Sequence, residues 1–210
     1  SALIDLKFLG VDNILALRGD PMKNESAFVP TQGGNAYALD LIEQINEMNN
    51  GQYLYEETKN SPSNFCIGTA GYPEKHFEAM NLSTDLKHLK KKVDAGAEFI
   101  VTQLFYDNKK FFDFVKRCRE IGIKVPIIPG IKPVTNLRHL SFIPKFFHVN
   151  FPEDFSNELE KCKTDEEIKR VGIEWTTEQC KELIKADIPV IHFYTMGRGI
   201  AVKNIAKEIF

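Results

Sequence analysis

The sequence predicts an α/β fold, a (βα)8 barrel of TIM type, on three observations. Short runs rich in Val, Ile and Phe alternate five times with stretches of helical periodicity, which is the pattern of βα units around a parallel sheet. The first run, Ile14-Leu15-Ala16-Leu17, is apolar on consecutive residues, as in a strand covered on both faces. No GxGxxG or GxxxxGK[ST] occurs, although a doubly wound sheet would normally carry such a phosphate turn after its first strand, so the barrel is the better reading.

Taken in order, Leu3, Ile4, Leu6, Phe8 and Leu9 follow helical spacing up to Gly10, with no cap before them, which suggests that an N-terminal segment precedes residue 1. The first strand spans 14–18. A polar loop over 22–34 is long enough to be a lid or binding loop. A helix over 35–49 carries Ala38, Leu41, Ile42, Ile45 and Met48 on one face, and 51–64 is a second polar excursion in which 52–55 is a candidate extended piece. The second strand lies at 65–70. A helix over 84–96 points Leu86, Leu89 and Val93 inward and groups Asp85, His88 and Lys92 on another face beside Lys91.

The third strand is 99–103, and a helix over 109–121 points Phe112, Val115 and Cys118 inward. The fourth strand is 125–130, followed by a helix over 134–147 interrupted at Pro144. Residues 151–185 hold a short helix and a long one, the second opened by a capping box from Thr164 to Glu167. The last strand covers 188–195 and the closing helix 198–210.

The 210 residues suit one domain or part of a larger one. A net charge of -2 offers no field for nucleic acid or an anionic membrane, and no apolar run approaches the roughly 18 residues of a membrane helix. No signal peptide opens the chain. Cys66, Cys118, Cys162 and Cys180 lie far apart without a CxxC pair, and they read as reduced, mostly buried thiols of a cytoplasmic protein. No two of the five histidines have metal-ligand spacing, so no metal is expected; His192 reads as a core imidazole and His148 as a loop residue. Trp175 reads as core.

Right-handed crossovers place the carboxyl ends of parallel strands on one rim, where ligands of such folds bind. On that rim stand Asp20, Tyr72, Gln103, Pro129-Gly130 and Tyr194-Thr195. Arg18, Gly19 and Asp20 offer a cation, a close backbone approach and a carboxylate at the end of a strand; the plainer reading of Gly19-Asp20-Pro21 is a turn.

Six segments, in order, resemble the signature series of methylenetetrahydrofolate reductases: Ala16-Leu17-Arg18-Gly19-Asp20-Pro21, Ala70-Gly71-Tyr72-Pro73-Glu74-Lys75-His76, Lys92-Val93-Asp94-Ala95-Gly96-Ala97, Thr102-Gln103-Leu104-Phe105-Tyr106-Asp107, Ile128-Pro129-Gly130-Ile131 and His192-Phe193-Tyr194-Thr195. The resemblance covers nearly the whole chain. It implies an incomplete barrel, units four to eight over 1–210, lacking about three N-terminal βα units and the family's glutamate proton donor. It further implies FAD, NADH or NADPH as electron donor, a folate substrate, and reduction of 5,10-methylenetetrahydrofolate to 5-methyltetrahydrofolate. A bacterial-type enzyme without a regulatory domain, acting as a homo-oligomer, is expected.

The resemblance also assigns roles to residues. Asp20 is the expected catalytic residue: hydride reduction of a methylene bridge needs an iminium cation beside the flavin, and a carboxylate at about 5 Å and an effective dielectric of about 20 is worth roughly 3 kcal/mol. Gln103, His139 and Arg198 join Asp20 as expected folate contacts, with Ile143 lining the same cavity. For FAD, the expected contacts are Arg18, Gly19, Asp20, Tyr37, Ala38, Tyr72 and His76, with Asp85, His88, Lys91 and Lys92 at the adenosine and diphosphate end. Each has a plainer alternative: Gln103 satisfying backbone groups at a strand end, Arg198 at a helix start, the lysines as a solvated face. An aldolase-like lyase would want a Schiff-base lysine at a strand end, and none of the expected strands ends in lysine. A ligand-binding fragment without activity is the other open class.

Overall fold

The computed structural model describes residues 2–21, 27–54 and 60–210. Strands β1 (Asn13–Ala16), β2 (Cys66–Gly71), β3 (Phe99–Thr102) and β4 (Ile127–Ile128) form a parallel sheet in that order, and β5 (Gly130–Ile131) pairs in parallel with β6 (His192–Phe193). β4 and β5 are the fourth expected strand, cut at Pro129. A proline offers no N–H to a ladder, but its carbonyl still accepts, here from the His192 N–H at 3.0 Å. The chain therefore serves β3 before Pro129 and β6 after it. The architecture is an α/β fold in which successive parallel strands neighbour one another in chain order.

The helices are α1 (Ala2–Phe8), α2 (Ala38–Asn49), α3 (Leu82–Asp94), α4 (Asn108–Glu120), α5 (Arg138–Phe147), α6 (Glu153–Glu160), α7 (Asp165–Lys185) and α8 (Ile200–Ile209). Their starts follow local chemistry. Asn81 caps α3 by accepting the Thr84 N–H at 2.9 Å, so this helix opens at Leu82, two residues before the expected start. At α7 the Thr164 hydroxyl accepts the Glu167 N–H at 3.2 Å and the Glu167 carboxylate accepts the Thr164 N–H at 3.1 Å, the expected reciprocal cap.

Three apolar clusters fill the interior. Ile100, Phe105, Phe111, Phe114, Cys118, Ile123, Cys180, Leu183 and Ile205 join the sheet to α4, α7 and α8. Leu104, Tyr106, Val134, Ile143, Phe155 and Ile168 form a second cluster, against which Trp175 stacks on Phe155 at 4.5 Å while its indole N–H donates to the Tyr106 carbonyl at 3.1 Å. Ala16, Ile42, Ile45, Phe65 and Ile67 form the third, under α2. Cys118 and Cys180 are buried, which pushes both thiols up to about 12 and leaves them unreactive.

Several expectations need correction. β1 is not covered on both faces: among the described residues β2 is its one strand partner, Leu15 is 37% exposed, and Leu17, just past the strand, is 51% exposed. His192 is an exposed residue set edge-on to Tyr194 rather than a core imidazole. The buried face of α4 is Phe111, Phe114 and Cys118, with Phe112 and Val115 flanking it. Pro144 lies inside α5 without ending it, and the helix stops instead at His148 in the left-handed region. The last strand shrinks from 188–195 to His192–Phe193. Parts of the two polar loops, 22–26 and 55–59, lie outside the described residues; of the candidate extended piece at 52–55, residues 52–54 form no strand and 55 lies outside the described residues.

Candidate functional site

Two groups of polar side chains occupy the rim where the parallel strands end. The first gathers around β1 and β2. Arg18, two residues past β1, donates to the Glu78 carboxylate at 2.8 Å, which holds the Glu78 carboxyl below its ordinary range and raises Arg18. The guanidinium also lies 5.6 Å from the centre of the Phe28 ring. That ring covers Gly19 so closely that a Cβ there would fall 2.9 Å from it. Asp20 follows, exposed and without a hydrogen-bond partner among the described residues.

Tyr72, next to the end of β2, is pushed up to about 12, mainly by burial and by Asp85, with Asp20 and Tyr194 acting in the same direction and Arg18 against it. Its phenol thus senses groups that follow β1, β2 and β6. The His76 ring stands edge-on to Tyr72 at 4.7 Å; burial lowers its pKa, and its Nδ1 accepts the Glu78 N–H at 3.2 Å. The His76 N–H donates to the Asp85 carboxylate at 2.8 Å. Lys92 reaches over the sheet end to donate to the Ala70 carbonyl at 3.1 Å, and burial lowers its pKa against the pull of Asp85.

The geometry of α3 explains who takes part. At about 100° per residue, positions 85 and 92 differ by about 20° around the axis while position 91 is about 120° away from 85. Asp85 and Lys92 therefore turn to the rim, and His88 and Lys91 stay on the exposed flank.

The second group lines a cleft of about 1130 Å³ between α5, the start of α7 and the chain joining β6 to α8. His139 and Arg198 face it together with Lys132, Arg138, Lys145 and Lys169, and among the described residues the one carboxylate lining it is Asp165. Asp165 is already engaged, accepting the Leu137 N–H at 2.7 Å. The His139 Nδ1 accepts the Thr135 N–H at 3.2 Å, and burial followed by the charge of Lys132 brings its pKa down to about 4.

A model of the family described as methylenetetrahydrofolate reductase matches residues 1–209. The chain belongs to the methylenetetrahydrofolate reductase family. It is 42% identical over 206 residues to methylenetetrahydrofolate reductase (NADH) 1 of Arabidopsis thaliana, which covers 93% of this chain and 33% of that protein. It is 33% identical over 193 residues to the 5,10-methylenetetrahydrofolate reductase of Pectobacterium carotovorum, covering 90% of this chain and 57% of that one. The chain thus spans about a third of the length of the plant relatives it matches. Among solved structures, an uncharacterized Clostridium thermocellum protein titled as binding two copies of 5-methyl-5,6,7,8-tetrahydrofolic acid superposes with a TM-score of 0.56 at 16% identity, over 94% of this chain and 70% of that one, which speaks to the fold.

Of the residues singled out through the reductase resemblance, Arg18, Gly19, Asp20, Tyr72, His76, Asp85 and Lys92 come together at the rim. Tyr37 sits at the start of α2, within electrostatic range of Arg18, and half-buried Ala38 follows it. His139 and Arg198 share the cleft, whereas Asp20 and Gln103 do not line it. The Gln103 side-chain carbonyl accepts the Leu104 N–H at 2.9 Å, the backbone-satisfying interaction of the plainer reading, and leaves its two amide donors for other partners. Ile143 is fully buried in the second core cluster and does not line the cleft, contrary to expectation.

Two residues escaped the sequence. Glu78, the partner of Arg18, sits in a turn with no periodic signal. Lys132 directly follows β5, because the break at Pro129 moves the strand end to Ile131. A lysine thus stands one residue past the end of a strand, so the lack of a strand-end lysine no longer counts against a lyase, whereas membership of the reductase family does. The available signal was a single lysine inside the apolar run from Val125 to Val134. Among the described residues, no group of three or more His, Cys, Asp or Glu could hold a metal ion, and no helix is long and apolar enough to cross a membrane.

Proposed function

We propose that residues 1–210 are the fourth through eighth βα units of a (βα)8 reductase barrel. In this reading the intact protein reduces 5,10-methylenetetrahydrofolate to 5-methyltetrahydrofolate with electrons from NADH or NADPH, as a cytoplasmic homo-oligomer. The observation that carries it is the surroundings of Tyr72 at the end of β2, where Arg18 and Asp20 past β1, Tyr194 past β6 and Asp85 of α3 act on one phenol. Such convergence at the carboxyl edge of parallel strands is what a barrel active site requires.

The donor set suits an anionic dinucleotide carrying a flat ring. Arg18 and Lys92 bring cations to the sheet end, Lys91 extends that charge along α3 with the His88 ring beside it, and Tyr72, His76 and Tyr37 supply rings. FAD, when bound, would supply hydride transfer between nicotinamide and folate. Asp20, exposed and unpaired among the described residues, would stabilise positive charge on the one-carbon unit. Gln103 would offer its amide donors to a pterin or nicotinamide edge, and His139 and Arg198 would face the folate from the cleft.

The test is the purified full-length protein. A flavin visible spectrum that NADH or NADPH bleaches and methylenetetrahydrofolate restores is expected. A colourless protein that oxidises neither nucleotide would overturn the reading and favour a ligand-binding fragment.

A further inference from the structure

The cleft holds a group that nothing in the described chain balances. Lys132 is only 7% exposed, yet its amine has neither a hydrogen bond nor an ion pair among the described residues. It lines the 1130 Å³ cleft beside Arg198 and His139, and its field is felt at the His139 imidazole. Arg138, Lys145 and Lys169 add positive charge to the walls, while Asp165 is tied to a helix start. A largely buried lysine whose ammonium has no counter-ion among the described residues is unfavourable unless something anionic joins it. Burial lowers its pKa, which records that cost in the free chain. The rest of the lining is suited to a flat apolar body, with Phe142, Phe147, Tyr194 and Ile200 along the walls.

We propose that Lys132 is the counter-ion for a carboxylate of the ligand that occupies this cleft, and that it selects folates carrying their glutamate over the bare pterin. The inference rests on the folate reading above and adds to it a specificity-determining residue outside the expected set. A carboxylate drawn against Lys132 would sit in the cleft that Arg198 also lines, with Phe142, Phe147 and Tyr194 available to the adjoining ring. A phosphate of the nicotinamide nucleotide shares the same charge chemistry and is the competing source.

The experiment uses the full-length protein with Lys132→Met and Lys132→Arg, and compares dissociation constants for 5-methyltetrahydrofolate, for a tetrahydropterin lacking the benzoyl-glutamate, and for NADH. The expected result is that Lys132→Met weakens the folate roughly ten- to a hundredfold while the pterin and NADH change by less than about threefold, and that Lys132→Arg retains most of the folate preference. A loss confined to NADH would overturn the carboxylate assignment in favour of phosphate. An unchanged folate-to-pterin ratio would overturn the role of Lys132 while leaving the folate reading intact; a wild-type protein that binds neither pteridine would sink that reading itself. Thermal unfolding of the ligand-free protein separates a further case. Removing an unpaired buried ammonium should leave the midpoint unchanged or raised, whereas a fall of several degrees together with an unchanged ratio would show that Lys132 pairs with a protein carboxylate and would overturn the proposal.

Discussion

The Tyr194 hydroxyl donates to the Thr102 carbonyl at 2.9 Å, tying the chain just after β6 to the end of β3 across the intervening strand. Gly130 lies between them: its N–H donates to the Thr102 hydroxyl at 2.9 Å, and a Cβ there would fall 2.1 Å from the Thr102 carbonyl oxygen and 2.6 Å from the Tyr194 ring.

Gly130→Ala should therefore destabilise the fold by about 3 kcal/mol or more, because the atom in the way is backbone and cannot swing aside. Tyr194→Phe removes only the hydroxyl and should cost about 1 kcal/mol. Denaturant unfolding of both variants checks the ranking, and equal stability of Gly130→Ala and wild type would contradict the close approach.

Asp20→Asn in the full-length protein should raise the flavin reduction potential and slow folate reduction by roughly ten- to a hundredfold, with a smaller effect on flavin reduction by the nucleotide. Rapid-mixing measurement of the two half-reactions decides it; equal slowing of both would remove the proposed role.

Lys92→Met should weaken FAD binding roughly tenfold without lowering the thermal midpoint of the flavin-free protein, since it replaces a largely buried cation whose pKa burial already lowers. Flavin fluorescence titration beside a melting curve checks both halves. A lower midpoint with unchanged affinity would make the contact to Ala70 purely structural.

His139 gives a pH dependence with a defined sign. Its pKa is about 4 in the folded chain against an ordinary 6.5, so the unfolded chain takes up the proton first. The contribution of His139 is complete above pH 6.5 and is lost as pH falls to about 4. Urea midpoints measured across that range should decline more steeply for the wild type than for His139→Gln; parallel curves would contradict the shift.

The parallel βα order was legible because apolar runs such as Phe99-Ile100-Val101-Thr102 and helical spacings such as Leu86, Leu89 and Val93 encode it locally. The capping box at Thr164 was legible for the same reason. The exposure of Leu15, Leu17 and His192 was not, since coverage depends on which strands flank β1 and β6. At the site, the motif residues near Arg18 and Tyr72 were legible as a series, but the pairing of Arg18 with Glu78, 60 residues away, exists only after folding. Lys132 went unread because its significance comes from burial without a partner, a property of its surroundings rather than of its neighbours in the chain.

The break at Pro129 also fixes alignment. Ile127 and Ile128 stand opposite Ile100 and Val101, Gly130 stands opposite His192, and Pro129, which has no donor, falls where the chain changes partners. A slide of either neighbour by a single residue would set a carbonyl against a ring that cannot answer it, and would turn inward-facing side chains out. The proline works as an index mark between two ladders, so that the rim bearing Gln103 and the wall bearing Lys132 keep a constant offset through every folding event.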